Sequence, residues 1–263
     1  MDSHEKAVSA LRLPDMIIAG APRCGTSWLY ELADRHPQVE MARPRNPEPK
    51  FFLDDDIYAR GLDYYSNTWF RGIDEHKIAG EKSTNYLENA LVPARIAQAI
   101  PGIKLVFMLR DPVERAYSNY RWSRMNGLEQ EEFERALDLD MDGTRPIPDA
   151  YRYARPFSYL ERGLYARLLT PWFEQFARAQ ILCLRFEDIA ANARELAASL
   201  HRFLAIAPRP GDADELGVVN AARGDDATPM SALVRARLER YYEGPNRELG
   251  ELLGDETALW QYR

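Results

Sequence analysis

Two short segments of this 263-residue chain combine residue types and spacings that could hold anions. The first is Gly20-Ala21-Pro22-Arg23-Cys24-Gly25-Thr26-Ser27. It follows the outline of a phosphate-binding loop, G-x-x-x-x-G-K-[ST], with Thr26 standing where the Lys belongs. Glycines let the backbone fold tightly, and amides at the start of the following helix point at an anion. Thr26 and Ser27 add hydroxyl donors, and Arg23 adds a charge-assisted bond. Read alone, the same residues also describe a glycine turn into a capped helix. A nucleotide kinase wants the missing Lys on its β- and γ-phosphates and a Ser or Thr on Mg²⁺, so Thr26 counts against that reading.

The second segment runs from Arg110 through Asp111 and Pro112 to Ser118. An Arg followed by a hydroxyl is a natural clamp for a further phosphate. Its plainer alternative is a pair of charges that solvate a strand end.

Both segments need elements to position them. Met16 to Ala19 is a short apolar run ending in Gly20, the pattern of a buried strand entering a tight turn. Thr26 to His36 carries Trp28, Leu29, Leu32 and Ala33 at helical spacing, and Pro37 stops it. Further strands are expected over Lys77–Gly80, Ile103–Leu109 and Ile181–Phe186. Pro112 opens a helix that Val113 to Trp122 continues, and an Ala- and Leu-rich helix follows the last strand to about Leu204. Apolar strands alternating with helices predict an α/β fold, a three-layer α/β/α arrangement around a central, mostly parallel sheet. Ligands of such sheets sit at the carboxyl ends of the strands. Arg43–Pro49 and Gly127–Pro156 read as irregular loops that shape a pocket, the latter bringing Tyr151, Arg152, Tyr153 and Arg155. Residues 1–263 are expected to form a single domain.

Taken together, Ile17–Ser27 and Leu105–Ser118 resemble the sulfotransferase family. Glu48-Pro49-Lys50-Phe51-Phe52, Gly80-Glu81-Lys82-Ser83-Thr84-Asn85-Tyr86 and Tyr242–Leu249 resemble its heparan-type branch. The resemblance covers roughly residues 14 to 260, with the motifs in order. It implies a P-loop-like loop in which Arg23, Cys24, Gly25, Thr26, Ser27 and Trp28 cradle the 5′-phosphosulfate of 3′-phosphoadenosine 5′-phosphosulfate (PAPS). Arg110 and Ser118 would hold the 3′-phosphate, and Arg223-Gly224 would close over it. PAPS would be the sulfuryl donor, released as 3′-phosphoadenosine 5′-phosphate (PAP), with no metal required. Glu48 would be the general base and Lys82 would neutralise developing charge. Glu81 is a second, lower-ranked candidate base. Ser158, Tyr159, Gly163 and Tyr165 would lie near cofactor or acceptor, without an assigned role. The family's loop usually carries Lys where this chain has Arg23, a planar fork that keeps the charge but donates protons poorly. Lys50 or Lys82 could share that task. The acceptor would be a small molecule, glycan or natural product. A P-loop kinase and a non-catalytic binding module remain the alternatives.

Composition narrows the setting. Lys and Arg total 34 against 41 Asp and Glu, a net charge of −7, which argues against nucleic acid as a partner. Two cysteines, Cys24 and Cys183, make no disulfide framework, and the opening Met1–Lys6 has no apolar core. No apolar run approaches the ~18 residues of a membrane span. A cytoplasmic setting is therefore expected.

Overall fold

Apolar runs that must lose water on both faces assemble into the centre of a parallel sheet. The computed structural model describes residues 11–143, 145–147, 149–217, 229–254, 260 and 262. Its strands β1 (Met16–Gly20), β2 (Val39–Met41), β3 (Ile78–Lys82), β4 (Lys104–Leu109) and β5 (Ile181–Arg185) form one sheet in the order β2-β3-β1-β4-β5. Every pairing is parallel. The helices are α1 (Thr26–Arg35), α2 (Asp55–Tyr58), α3 (Gly61–Trp69), α4 (Val92–Ala99), α5 (Pro112–Met125), α6 (Phe133–Asp142), α7 (Tyr165–Gln175), α8 (Asp188–Ala191), α9 (Ala193–Leu204) and α10 (Ala232–Leu253). They flank the sheet as the outer layers of an α/β/α stack.

Strand order decides where a ligand can sit. From β1 the chain passes to β2 and β3 on one side, and from β4 it passes to β5 on the other. Loops leaving β1 and β4 diverge and open a crevice at the strands' carboxyl ends. Pairing continues one step past β1, where the Ala21 amide donates to the Met108 carbonyl at 2.9 Å. That bond sets the start of the first loop against the end of β4, two residues before Arg110.

The expected strands and the helices after β1, β4 and β5 are all present, with ends shifted by a few residues. Two differences matter. The second strand ends at Lys82 rather than Gly80, so Glu81 and Lys82 belong to the sheet. The stretch expected to be irregular after Gly127 contains α6, which buries Phe133, Ala136 and Leu137. Its i, i+3, i+4 face is interrupted by acidic residues, which hide the helical period. With Val113, Tyr120, Phe157, Tyr159, Leu238 and Tyr242, that face builds a second apolar cluster beside the one around the sheet.

Candidate active site

Gly25 makes the first loop possible. It has φ 79°, and a Cβ there would stand 2.7 Å from Phe186 Cδ2. Left-handed backbone and close approach together exclude other residues. Thr26 and Ser27 then occupy the first turn of α1, which carries no acidic side chain. The first amides of a helix lack internal acceptors and carry partial positive charge. Trp28 contributes neither feature: its indole is buried and its amide donates to the Gly25 carbonyl at 2.9 Å. Cys24 is fully buried, and burial raises its thiol above the ordinary value, so it is a packing group rather than a thiolate.

Arginines converge on this loop. Arg110 Nη1 lies 3.4 Å from the Arg23 carbonyl, and its guanidinium covers the Phe186 ring at 4.5 Å. The Nε atoms of Arg23 and Arg110 are buried and have no hydrogen-bond partner among the described residues. Burial, then the charges of Arg110 and Arg162, push Arg23 down to about 10. Like charges held together and partly out of water are an arrangement that an anion would relieve. PAPS fits this donor set, since its phosphate and sulfate oxygens accept what these guanidinium and amide groups offer. Ser118 is half-buried on α5, one turn after Glu114, whose carboxylate lies 4.0 Å from Arg110. Asp111 caps α5 by accepting from the Val113 amide at 2.8 Å.

On the other side of β1, Lys82 pairs with Glu48, and both are nearly buried, at 4% and 11% exposure. Thr84 adds its amide at 3.1 Å and its hydroxyl at 3.2 Å to the same carboxylate. Lys50 donates its amide to Ser83 Oγ at 2.9 Å. Its amine is lowered from the ordinary value by burial, with Glu48 opposing and Lys82 reinforcing that direction. Phe51 stacks on Tyr65 at 4.3 Å and packs edge-on against Phe52, which anchors the loop in the core. A cavity of about 640 Å³ opens beside Glu48 and Lys50, walled by Glu88, Asn85, Arg152 and Arg155. Arg223 and Gly224 lie outside the described residues.

Glu81 stands apart from this chemistry. It is fully buried, accepts a hydrogen bond from Tyr65, and is not part of the cavity wall. Burial, against hydrogen bonds from Ser83, Tyr65 and Tyr86, pushes its carboxyl up from 4.5 to about 7. The folded state thus binds a proton that the unfolded chain releases. Stability from this group is fully present below about pH 4.5 and is lost as pH rises towards 7. Glu81→Gln should remove that decline, which amounts to about 3 kcal/mol over the interval. Urea unfolding at pH 4.5 and pH 8 checks it; a variant whose stability falls in parallel with the parent would contradict the burial account.

Residue types alone do not reveal the pair Glu88–Arg162, in which both side chains are 3% exposed. Arg162 also donates to Asn119 Oδ1 at 2.8 Å and to the Ala154 carbonyl at 3.0 Å. It therefore joins the cavity wall to α5 beside Ser118. Thr84 likewise carries no mark in its residue type, and its place two residues after Lys82 is the available signal.

Comparison with known proteins agrees with this architecture. Residues 13–217 match the profile of the sulfotransferase domain. Mouse heparan sulfate glucosamine 3-O-sulfotransferase 3A1 is 32% identical over 181 residues, covering 69% of this chain and 43% of the relative. The chain spans between about a third and just over half the length of the curated relatives it matches first. A sulfotransferase structure from Alicyclobacillus acidocaldarius superposes with a TM-score of 0.75 at 23% identity, covering 95% of this chain and all of the other. Mouse SULT7A1 complexed with PAP superposes at 0.60 with 16% identity, covering 94% of this chain and 90% of that one. Among the described residues, no helix is long and apolar enough to cross a membrane. Matched over well more than half of its length, this chain belongs to the sulfotransferase family.

Proposed function

We propose that the chain transfers a sulfuryl group from PAPS to a hydroxyl of a small-molecule or glycan acceptor, with Glu48 as general base. One observation carries the reading. Two guanidinium groups, whose buried Nε atoms have no partner among the described residues, meet at the loop between β1 and α1, and the Lys82–Glu48 pair stands at the end of the adjacent strand β3.

Arg23, the Gly25–Ser27 backbone and the Thr26 and Ser27 hydroxyls would hold the 5′ side of the donor, and Arg110 with Ser118 its 3′-phosphate. Bound PAPS supplies a sulfuryl group on a phosphate leaving group. Glu48, positioned by Lys82 and Thr84, takes the proton of the acceptor hydroxyl as that oxygen becomes nucleophilic. Lys82 releases its hold on Glu48 as the carboxylate gains that proton and turns its charge to the oxygens of the transferring group. Arg23 balances charge at the leaving side, and Lys50 assists. The cavity beside Glu48 would seat the acceptor. The single sheet with its two apolar clusters supports one domain, and the free thiols of Cys24 and Cys183 support a cytoplasmic setting.

A thermal shift with PAP, set against ATP plus Mg²⁺, tests the donor. At about 100 times its Kd a ligand stabilises by roughly 2.7 kcal/mol. For a chain of this size that is a rise of roughly 5–11 °C. A rise with PAP and none with ATP–Mg²⁺ is expected. A response to ATP–Mg²⁺ alone would replace this reading with the nucleotide kinase.

A further inference from the structure

Tyr165 begins α7, on neither of the two anion-binding segments, yet its hydroxyl touches both. The hydroxyl donates to the Arg110 carbonyl at 2.9 Å and lies 3.4 Å from the Arg110 amide. Cys24 Sγ, inside the first loop, is 3.5 Å away. The phenol gives its one proton to the carbonyl, which leaves the thiol as the available donor in the second contact, with the Pro22 carbonyl at 3.6 Å as its other acceptor. A thiol kept protonated by burial can fill that role. All of this is out of water: Tyr165 is 1% exposed and Cys24 is fully buried. Behind the phenol, the Trp260 ring lies 6.0 Å from its own, and α7 packs along α10.

We infer that Tyr165 is a positioning residue that rivets the loop after β1 to the end of β4, and thereby fixes the spacing between the two anion half-sites. The inference rests on the donor reading above. A ligand with phosphates at both ends gains from a fixed spacing, because engaging one site presents the other group at high effective concentration. A ligand with one phosphate gains nothing from it. The sheet alone does not supply this constraint. β1 and β4 are bonded up to Ala21 and Met108, but Arg23, Cys24 and Arg110 lie beyond the last rung.

The test separates spacing from general stability. Calorimetric titration would compare PAP, adenosine 5′-phosphate and adenosine 3′-phosphate on the full chain and on Tyr165→Phe. Phe keeps the ring in place and removes only the rivet. PAP affinity is expected to fall roughly 5- to 15-fold, the loss of about one buried hydrogen bond's worth of coupling. Affinity for each mononucleotide should stay within about twofold, inside the error of additive behaviour. Cys24→Ala provides a second variant should Tyr165→Phe fail to fold, since it cuts the loop end of the link together with the 3.6 Å contact to the Pro22 carbonyl. It should lower PAP affinity in the same selective way, by less. Unchanged PAP affinity would overturn the inference. So would a proportional loss for all three nucleotides, which would mark Tyr165 as a packing residue. Absence of PAP binding by the parent chain is a different result and removes the donor reading itself.

Discussion

Glu48→Gln is expected to lower turnover by about 10²- to 10⁴-fold, the span that a positioned general base contributes, while PAP binding persists. The amide preserves the shape and can still accept from Thr84, but it has no lone pair basic enough to take a proton from an attacking hydroxyl. Of the neighbouring carboxylates, Asp54 on the same cavity wall is engaged as the cap of α2, accepting from the Ile57 amide at 3.0 Å. Glu81 is sealed in the core, and Glu88 is engaged by Arg162 and Asn85. The variant also leaves Lys82 without its counter-ion at 4% exposure, so some loss of stability accompanies it. Turnover is therefore best compared below the melting point of both proteins, at saturating PAPS, with PAP affinity measured in parallel. Parent-like turnover would dismiss Glu48 as the base. Loss of PAP affinity would place Glu48 in the donor site instead.

The largest expected effect on stability belongs to Arg162→Met. Glu88 and Arg162 are each 3% exposed, and the pair lies between the cavity wall and α5. Removing one partner of a buried pair leaves an uncompensated charge and costs about 3–5 kcal/mol. For a chain of this length the melting temperature should fall by roughly 6–20 °C. Asn119 Oδ1 and the Ala154 carbonyl lose a donor in the same step. The double variant Arg162→Met/Glu88→Leu should recover most of the loss, because no charge remains buried. Calorimetry on the parent, both single variants and the double variant completes the cycle. A single variant within about 1 kcal/mol of the parent would show that water or a neighbour already compensates Glu88.

Legibility in the sequence followed the range of the interactions. β1, β4 and β5 were readable because each is a short apolar run, and α1 and α5 because their starts carry local signals: Gly25 before Thr26, and Asp111-Pro112 before Val113. β2 was not readable, since a three-residue edge strand has no period to detect. α6 was hidden by Asp140, an acidic residue on its inward face that accepts from the Tyr159 and Leu160 amides. Glu48 shows the same limit within the site. One carboxylate among 41 acidic residues carries no local mark, and only its resemblance to a family pattern singled it out.

What the sequence by itself determined was the fold class and the two segments proposed to hold the donor, because loop, cap and strand signals are written within a few residues of one another. Tertiary structure alone decided which charges meet. Lys82 reaches Glu48 across 34 positions, Arg162 reaches Glu88 across 74, and Tyr165 reaches Cys24 across 141. Partners so far apart are chosen by strand order and by the packing of α5 and α7. Ionic and hydrogen-bond strength depends on distance and on exclusion of water, and neither quantity exists until the sheet has formed.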